Sequence, residues 1–288
     1  MSFRIPSSIF GKPIDGAIER ALNPAGKPAR APATNATPRP MSAPMDIDHP
    51  ENWIILEGRD HAGYKYNNLL VCMHRLGYSS VVETAAKSLG LNLLNTSNEK
   101  DGTPYIGSVN WEQALSLNSA LGNLTLNPRQ GLDLFLDLEA ATSKNAPKKL
   151  YDARGHEIAL DRLVNLKDEI WEVRAPYRAE WLDARFVSQG SVLTIQYGHN
   201  LSNRSLVPNT TEPVGKYIEI NGLMDVKSAN KHGLATQSVK QGPLYFYYPV
   251  NGSVARFYAD SGRAGLYCGG DPQCTDPELG VRAVRAKN

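Results

Sequence analysis

Cysteine is scarce: 288 residues hold three, Cys72, Cys268 and Cys274. Three thiols make no disulfide framework, and no pair of CxxC knots offers a zinc site. Cys268 and Cys274 fall six apart in a glycine-rich stretch, a spacing that closes one small loop or leaves two free thiols. An excess of one charge is also missing. Thirty-one basic against 29 acidic residues leave a net +2, without the basic surplus of a dedicated nucleic-acid binder. No apolar run approaches the roughly 20 residues of a membrane helix, and Met1 to Gly11 lacks the apolar core of a secretory signal. The expectation is therefore no nucleic acid partner and no membrane insertion. Phosphate-loop, GxGxxG, HExxH and GxSxG patterns are absent, and six histidines are scattered without ligand spacing. Neither a metal nor another cofactor is expected, and nothing marks an enzyme.

What is present is enough apolar residue, 41%, to fill a core. Residues 1–50 stand apart, with nine of the nineteen prolines. They read as an attachment segment plus an extended linker, with a short helix over Ile14, Ala17, Ile18 and Leu22. From Glu51 the chain reads as one domain, residues 51–288. The spacing predicts helices over Val81–Leu89, capped by Ser79-Ser80, over Trp111–Leu121, and from the Asn127-Pro128 start to Ala141. Two more are predicted over Ile158–Val173 and Arg178–Phe186. Strands are predicted at Val192–Tyr197, Lys216–Ile220, Leu244–Tyr248, Ser253–Tyr258 and Val281–Arg285, with Gly198–Gly215 a long polar connection. Helices first and strands later imply an α+β fold.

Two polar groupings invite a chemical reading and receive a bland one. Gly58-Arg59-Asp60-His61 reads as a local turn. Asp133, Asp137 and Glu139 read as the solvated face of a helix. Tyr245-Phe246-Tyr247-Tyr248 is the dense aromatic cluster, and alternation sends part of it to the core and leaves tyrosines to floor a binding surface.

The window from Ala259 to Asp276 is the most unusual. It holds four glycines and two of the three cysteines but no Lys, Glu, Val, Ile, Met or Trp. Nearly every residue belongs to the set encoded by codons ending in C with the first two bases free, Gln273 excepted. An asparagine codon randomised at its adenines yields this assortment. Ser253-Val254-Ala255-Arg256-Phe257-Tyr258 precedes the window, and Leu279-Gly280-Val281-Arg282-Ala283-Val284-Arg285 follows it.

This arrangement resembles the variable proteins of diversity-generating retroelements, above all those of archaea and archaeal viruses. The Ala259-Asp260-Ser261 to Leu266-Tyr267-Cys268 pattern, Tyr66–Val71, Asn127-Pro128-Arg129-Gln130 and Arg178–Ala184 carry it too, so it spans about residues 60–286 and leaves residues 1–50 outside. The resemblance implies a C-type lectin fold of the formylglycine-generating-enzyme-like variant, with a variable region at about 257–285. It further implies that error-prone reverse transcription rewrites displayed side chains so that new protein or surface ligands are bound, on a virus particle (a tail or receptor-binding structure) or a cell surface. The expected displayed set is Asp260, Ser261, Arg263, Tyr267, Gly269, Gly270, Asp271, Cys274, Thr275 and Asp276, with Leu266, Pro272, Leu279 and Val281 as anchors. Glu212-Pro213 is followed by Val214, and no Trp-Asn-Asp occurs, so lectin-type calcium binding is not expected. The alternatives are a copper oxidase of the formylglycine-generating type using Cys268 and Cys274, since thiolates suit Cu(I), or a virion component that binds nothing. A catalytic pair inside a rewritten window would not be kept.

Overall fold

The structure, a computed structural model, describes residues 49–145 and 147–287 and the backbone of two short strands near the N-terminus. The chain divides into two units, Met1–Met41 and Ser42–Asn288. In the first, Ser8–Ile9 pairs antiparallel with Lys12–Pro13; the helix expected over Ile14–Leu22 lies outside the described residues.

The second unit starts with β1 (Trp53–Leu56) and β2 (Leu69–Arg75). Four helices follow, α1 (Ser80–Ser88), α2 (Trp111–Ala120), α3 (Pro128–Ala141) and α4 (Leu160–Trp171). The helix starts obey local chemistry. Ser79 caps α1, and Asn110 and Asn127 each form a reciprocal capping box, with Gln113 and Gln130. After the helices come β3 (Arg178–Gln189), β4 (Val192–Ser202), β5 (Ser205–Pro213), β6 (Gly222–Met224), β7 (Leu244–Tyr247), β8 (Val254–Ala259), β9 (Ala264–Gly270), β10 (Leu279–Gly280) and β11 (Arg282–Ala286). Two short hairpins, Arg59–Asp60 with Lys65–Tyr66 and Asn95–Asn98 with Pro104–Ile106, stand outside this count. The large sheet runs β5-β4-β3-β8-β9-β7-β6, with β10 beside β3; a small sheet runs β11-β2-β1. The fold is α+β.

Three expectations are corrected. Arg178–Phe186 is the first part of β3 rather than a helix. It is rich in helix formers, yet it lies between β4 and β8 with both faces covered, and its first seven residues are buried. Tertiary burial outweighs a propensity worth tenths of a kcal/mol per residue. Gly198–Gly215 is not a loop: β4 and β5 form a long hairpin, turned by Asn203 and Arg204 at positive φ, as a two-residue hairpin loop requires. Lys216–Ile220 forms no strand. The order of helices before strands is also incomplete, because β1 and β2 precede the helices, and β2 pairs on one edge with β1 and on the other with the C-terminal β11, Val284 opposite Val71.

The inner face of the large sheet, with Leu182, Phe186, Phe246, Phe257, Leu266 and Cys268, packs in the main core with Leu132, Phe135 and Leu138 of α3. A second cluster joins α1 and α2 to Trp181, Val254, Tyr258, Leu279 and Val281. These two cores hold β8, β9 and β10, the strands on which the C-terminal window is mounted.

Candidate ligand-binding surface

Alternation sets the character of the surface. In β7, Leu244 and Phe246 are buried while Tyr245 and Tyr247 are half-buried. Tyr245 lies opposite Gly265, and Tyr247 opposite Tyr267, in the parallel pairing of β7 with β9. Arg256 lies opposite Tyr267, and Tyr258 opposite Gly265, in the antiparallel pairing with β8. Four tyrosines therefore meet on one side: Tyr247 and Tyr267 have ring centroids 4.7 Å apart, Tyr245 and Tyr247 5.0 Å, Tyr247 and Tyr258 5.8 Å. Two arginines stack on them. The Arg263 guanidinium carbon is 4.4 Å from the Tyr245 ring centroid, and that of Arg256 is 5.0 Å from Tyr267. Such contacts order the long side chains over a rigid aromatic floor. Gly265 makes the floor possible, since a Cβ there would stand 2.1 Å from the Tyr245 carbonyl oxygen and 3.0 Å from the Tyr258 ring.

Two connections rim the floor. Between β8 and β9, the Asp260 carboxylate accepts from the Gly262 and Arg263 amides at 2.7 and 2.9 Å, which leaves Ser261 and Arg263 exposed. After β9, residues 271–277 are docked on the scaffold largely by main-chain carbonyls. Pro272 O accepts from the Trp111 amide at 3.1 Å, Asp276 O from the Ser108 amide at 3.1 Å, and Pro277 O from the Thr96 hydroxyl at 2.7 Å. These anchors do not depend on the side chains at 271 and 273–276.

Of the expected displayed residues, Ser261, Arg263, Asp271, Thr275 and Asp276 are exposed, and Asp260, Tyr267, Gly269 and Cys274 are half-buried. Gly270 is corrected: it is buried, and a Cβ would stand 2.8 Å from the Val254 carbonyl oxygen, so it displays no side chain. Leu266, Leu279 and Val281 are buried, whereas Pro272 is half-buried and anchors through its carbonyl. The three cysteines are free. Cys268 packs in the main core, where burial pushes its thiol well above the usual range. Cys274 lies against the second cluster, its thiol donating to Asp276 at 3.2 Å. The two window cysteines thus pack against different clusters.

The solvated-face reading is corrected and the turn reading extended: His61 and Tyr64 close a local turn, but Arg59 and His61 also reach the helix carboxylates. Asp133 is fully buried, with Arg129 at 2.8 Å, Arg59 at 3.0 Å, the His61 Nε2 at 2.7 Å and the Tyr66 hydroxyl at 2.6 Å. Burial acts to raise its pKa, yet the charge of Arg129 and the hydrogen bonds from Tyr66 and His61 hold it below the ordinary carboxylate range. Asp137 binds Arg59 and, at 2.9 Å, Lys148. Glu139 alone is solvated as expected, paired with Lys167 at 2.9 Å. A second buried network was not foreseen: Arg282 pairs with Glu180, and Arg75 with Glu169, across the junction of the two sheets and α4. Its signal was Arg and Glu standing inside apolar strand segments.

No protein-family profile and no curated protein matches the chain. A solved structure described as the crystal structure of CarF aligns with 83% of this chain and 99% of that one, at 12% identity and a TM-score of 0.32; so low a score carries no argument.

Proposed function

We propose that this protein is a diversified ligand-binding protein, a C-type lectin-like scaffold whose C-terminal window, about residues 257–285, is rewritten by a diversity-generating retroelement and displayed on a virus particle or cell surface. The observation that carries the reading is the contrast within the window. Ser261, Arg263, Asp271, Thr275 and Asp276 are exposed around a floor of Tyr245, Tyr247, Tyr258 and Tyr267, while Leu266, Leu279 and Val281 are buried. Side chains that change belong at positions with little core burial. Tyrosine offers rigid contact area at low entropic cost, and Tyr and Arg are frequent interface hot spots. The ligand is a protein or surface epitope met by side chains without a metal or a catalytic group. Sequencing the locus tests the reading: an adjacent reverse transcriptase gene and a template repeat, matching the window except at adenines, are expected. A locus without either overturns it.

A further inference from the structure

Away from the tyrosine floor, β2 carries an imidazole to a cavity that the proposed binding role does not use. His74 meets the turn between two short strands, Asn95–Asn98 and Pro104–Ile106. Its Nδ1 is 2.7 Å from Glu99 Oε2 and 3.9 Å from Asp101 Oδ2, and the three ligating atoms lie within 4.8 Å of one another. The carboxylates are pre-positioned. Glu99 is buried, with its other oxygen accepting from the Arg75 amide at 2.7 Å. Asp101 Oδ1 accepts from the Thr103 amide at 2.8 Å, and Oδ2 is the oxygen turned to His74. All three side chains line a cavity of about 80 Å³, which Arg162, Leu166 and Glu169 also line.

We propose that His74, Glu99 and Asp101 form a binding site for one divalent transition-metal ion of the zinc class, with its remaining coordination position open to the cavity. Zinc–nitrogen and zinc–oxygen bonds of about 2.0–2.2 Å set tetrahedral donors roughly 3.3 Å apart, a spacing that the observed 2.7 and 3.9 Å bracket. Small side-chain shifts in opposite senses admit the ion, and the proton between His74 Nδ1 and Glu99 is displaced as the ion enters, to the ring's Nε2 or to solvent. The imidazole directs the choice of ion. A nitrogen donor suits zinc, whereas magnesium and calcium favour all-oxygen sets. Two carboxylates face the ion; Arg75 also approaches the other Glu99 oxygen, Nε to Oε1 at 3.5 Å, but its terminal nitrogen pairs with Glu169, while Lys100 pairs with Asp168 and Glu172 and Arg162 donates to the Glu51 carbonyl. The site departs from the expectation that no metal is bound, and it is independent of the retroelement reading.

The test is calorimetric titration of the full chain, stripped with EDTA and dialysed, with zinc chloride and separately with calcium chloride. One zinc per chain is expected, with calcium at least about tenfold weaker. His74→Ala and Asp101→Ala should each weaken zinc binding at least about tenfold. Asp101 is largely exposed and in a turn, so its variant folds even where His74→Ala does not, as circular dichroism verifies. No zinc uptake by the folded wild type overturns the site. So does uptake unchanged in Asp101→Ala, or uptake lost instead in His61→Ala or Cys274→Ser, which would place the ion elsewhere.

Discussion

Single residues in this fold act through the groups that face them. Asp133 takes hydrogen bonds or ion pairs from Arg59, Arg129, His61 and Tyr66, so Asp133→Asn takes the counter-charge from Arg129 and leaves Arg59 with Asp137 alone. Breaking a buried pair from one side costs about 3–5 kcal/mol, and urea unfolding at pH 7 should show a loss of that size. The sign of the pH effect follows from the depressed Asp133 pKa. A carboxylate whose folded pKa lies below its unfolded value of about 3.9 contributes stability that is complete above that value and is lost as pH falls through the folded pKa. Glu99 is held low in the same sense: burial acts against it, and the hydrogen bond from His74 and the charge of Arg75 prevail. The unfolding midpoint should therefore lose these contributions only below about pH 4, and the acid limb of Asp133→Asn should be flatter than that of the wild type. An equally steep limb would show that Asp133 is not among the groups responsible.

Among the elements, the window separates into positions that carry side chains and positions that exclude them. Replacing Ser261, Arg263, Asp271 and Thr275 together, by Asn, Ser, Ser and Asn, should move stability by no more than about 2 kcal/mol, at roughly 0.5 kcal/mol for each exposed site. Gly265→Val should cost more than all four, because its Cβ meets the Tyr245 carbonyl oxygen at 2.1 Å, and backbone on that side has nowhere to move. Thermal unfolding of the two variants compares them directly; a greater loss in the fourfold variant would make the window structural. The same distinction explains what was legible from sequence. Helices that start at Ser79, Asn110 and Asn127 carry their signal locally, in a cap and a period. β3 does not, since its Arg178, Glu180 and Asp183 are buried by partners far away in sequence or in other elements, and a central strand covered on both faces loses its period of two. The tyrosine floor was half legible: alternation separates Tyr245 and Tyr247 from Phe246, but only the pairing of β7 with β9 brings Tyr267 beside them. Asp133 and His61, 72 residues apart, left no local trace of their contact.

At the scale of the whole molecule, the C-terminal strand is built into the fold. β11 pairs with β2, and β2 with β1, so the strand that follows the Ala259–Asp276 stretch closes a sheet begun by the first strand of the second unit. Val281, just before β11, is 2% exposed among Trp111, Leu115 and Leu279 of the second cluster. Val281→Asp would bury an unpaired charge there and should abolish the cooperative transition. The other end of the chain obeys a different rule. Pro50 belongs to the folded unit, because its carbonyl accepts from the Ala153 amide at 3.3 Å, which places the boundary of the dispensable segment before residue 50. Met1–Met41 forms a unit of its own, and a segment so rich in proline has little apolar surface to bury. Removing residues 1–41 should therefore shift the thermal midpoint of the remainder by less than about 2 °C, equivalent to under ~1 kcal/mol for a domain of this size. Differential scanning calorimetry of the truncated and full chains checks it, and a fall of more than about 5 °C would show that the N-terminal segment packs into the domain rather than serving as a tether.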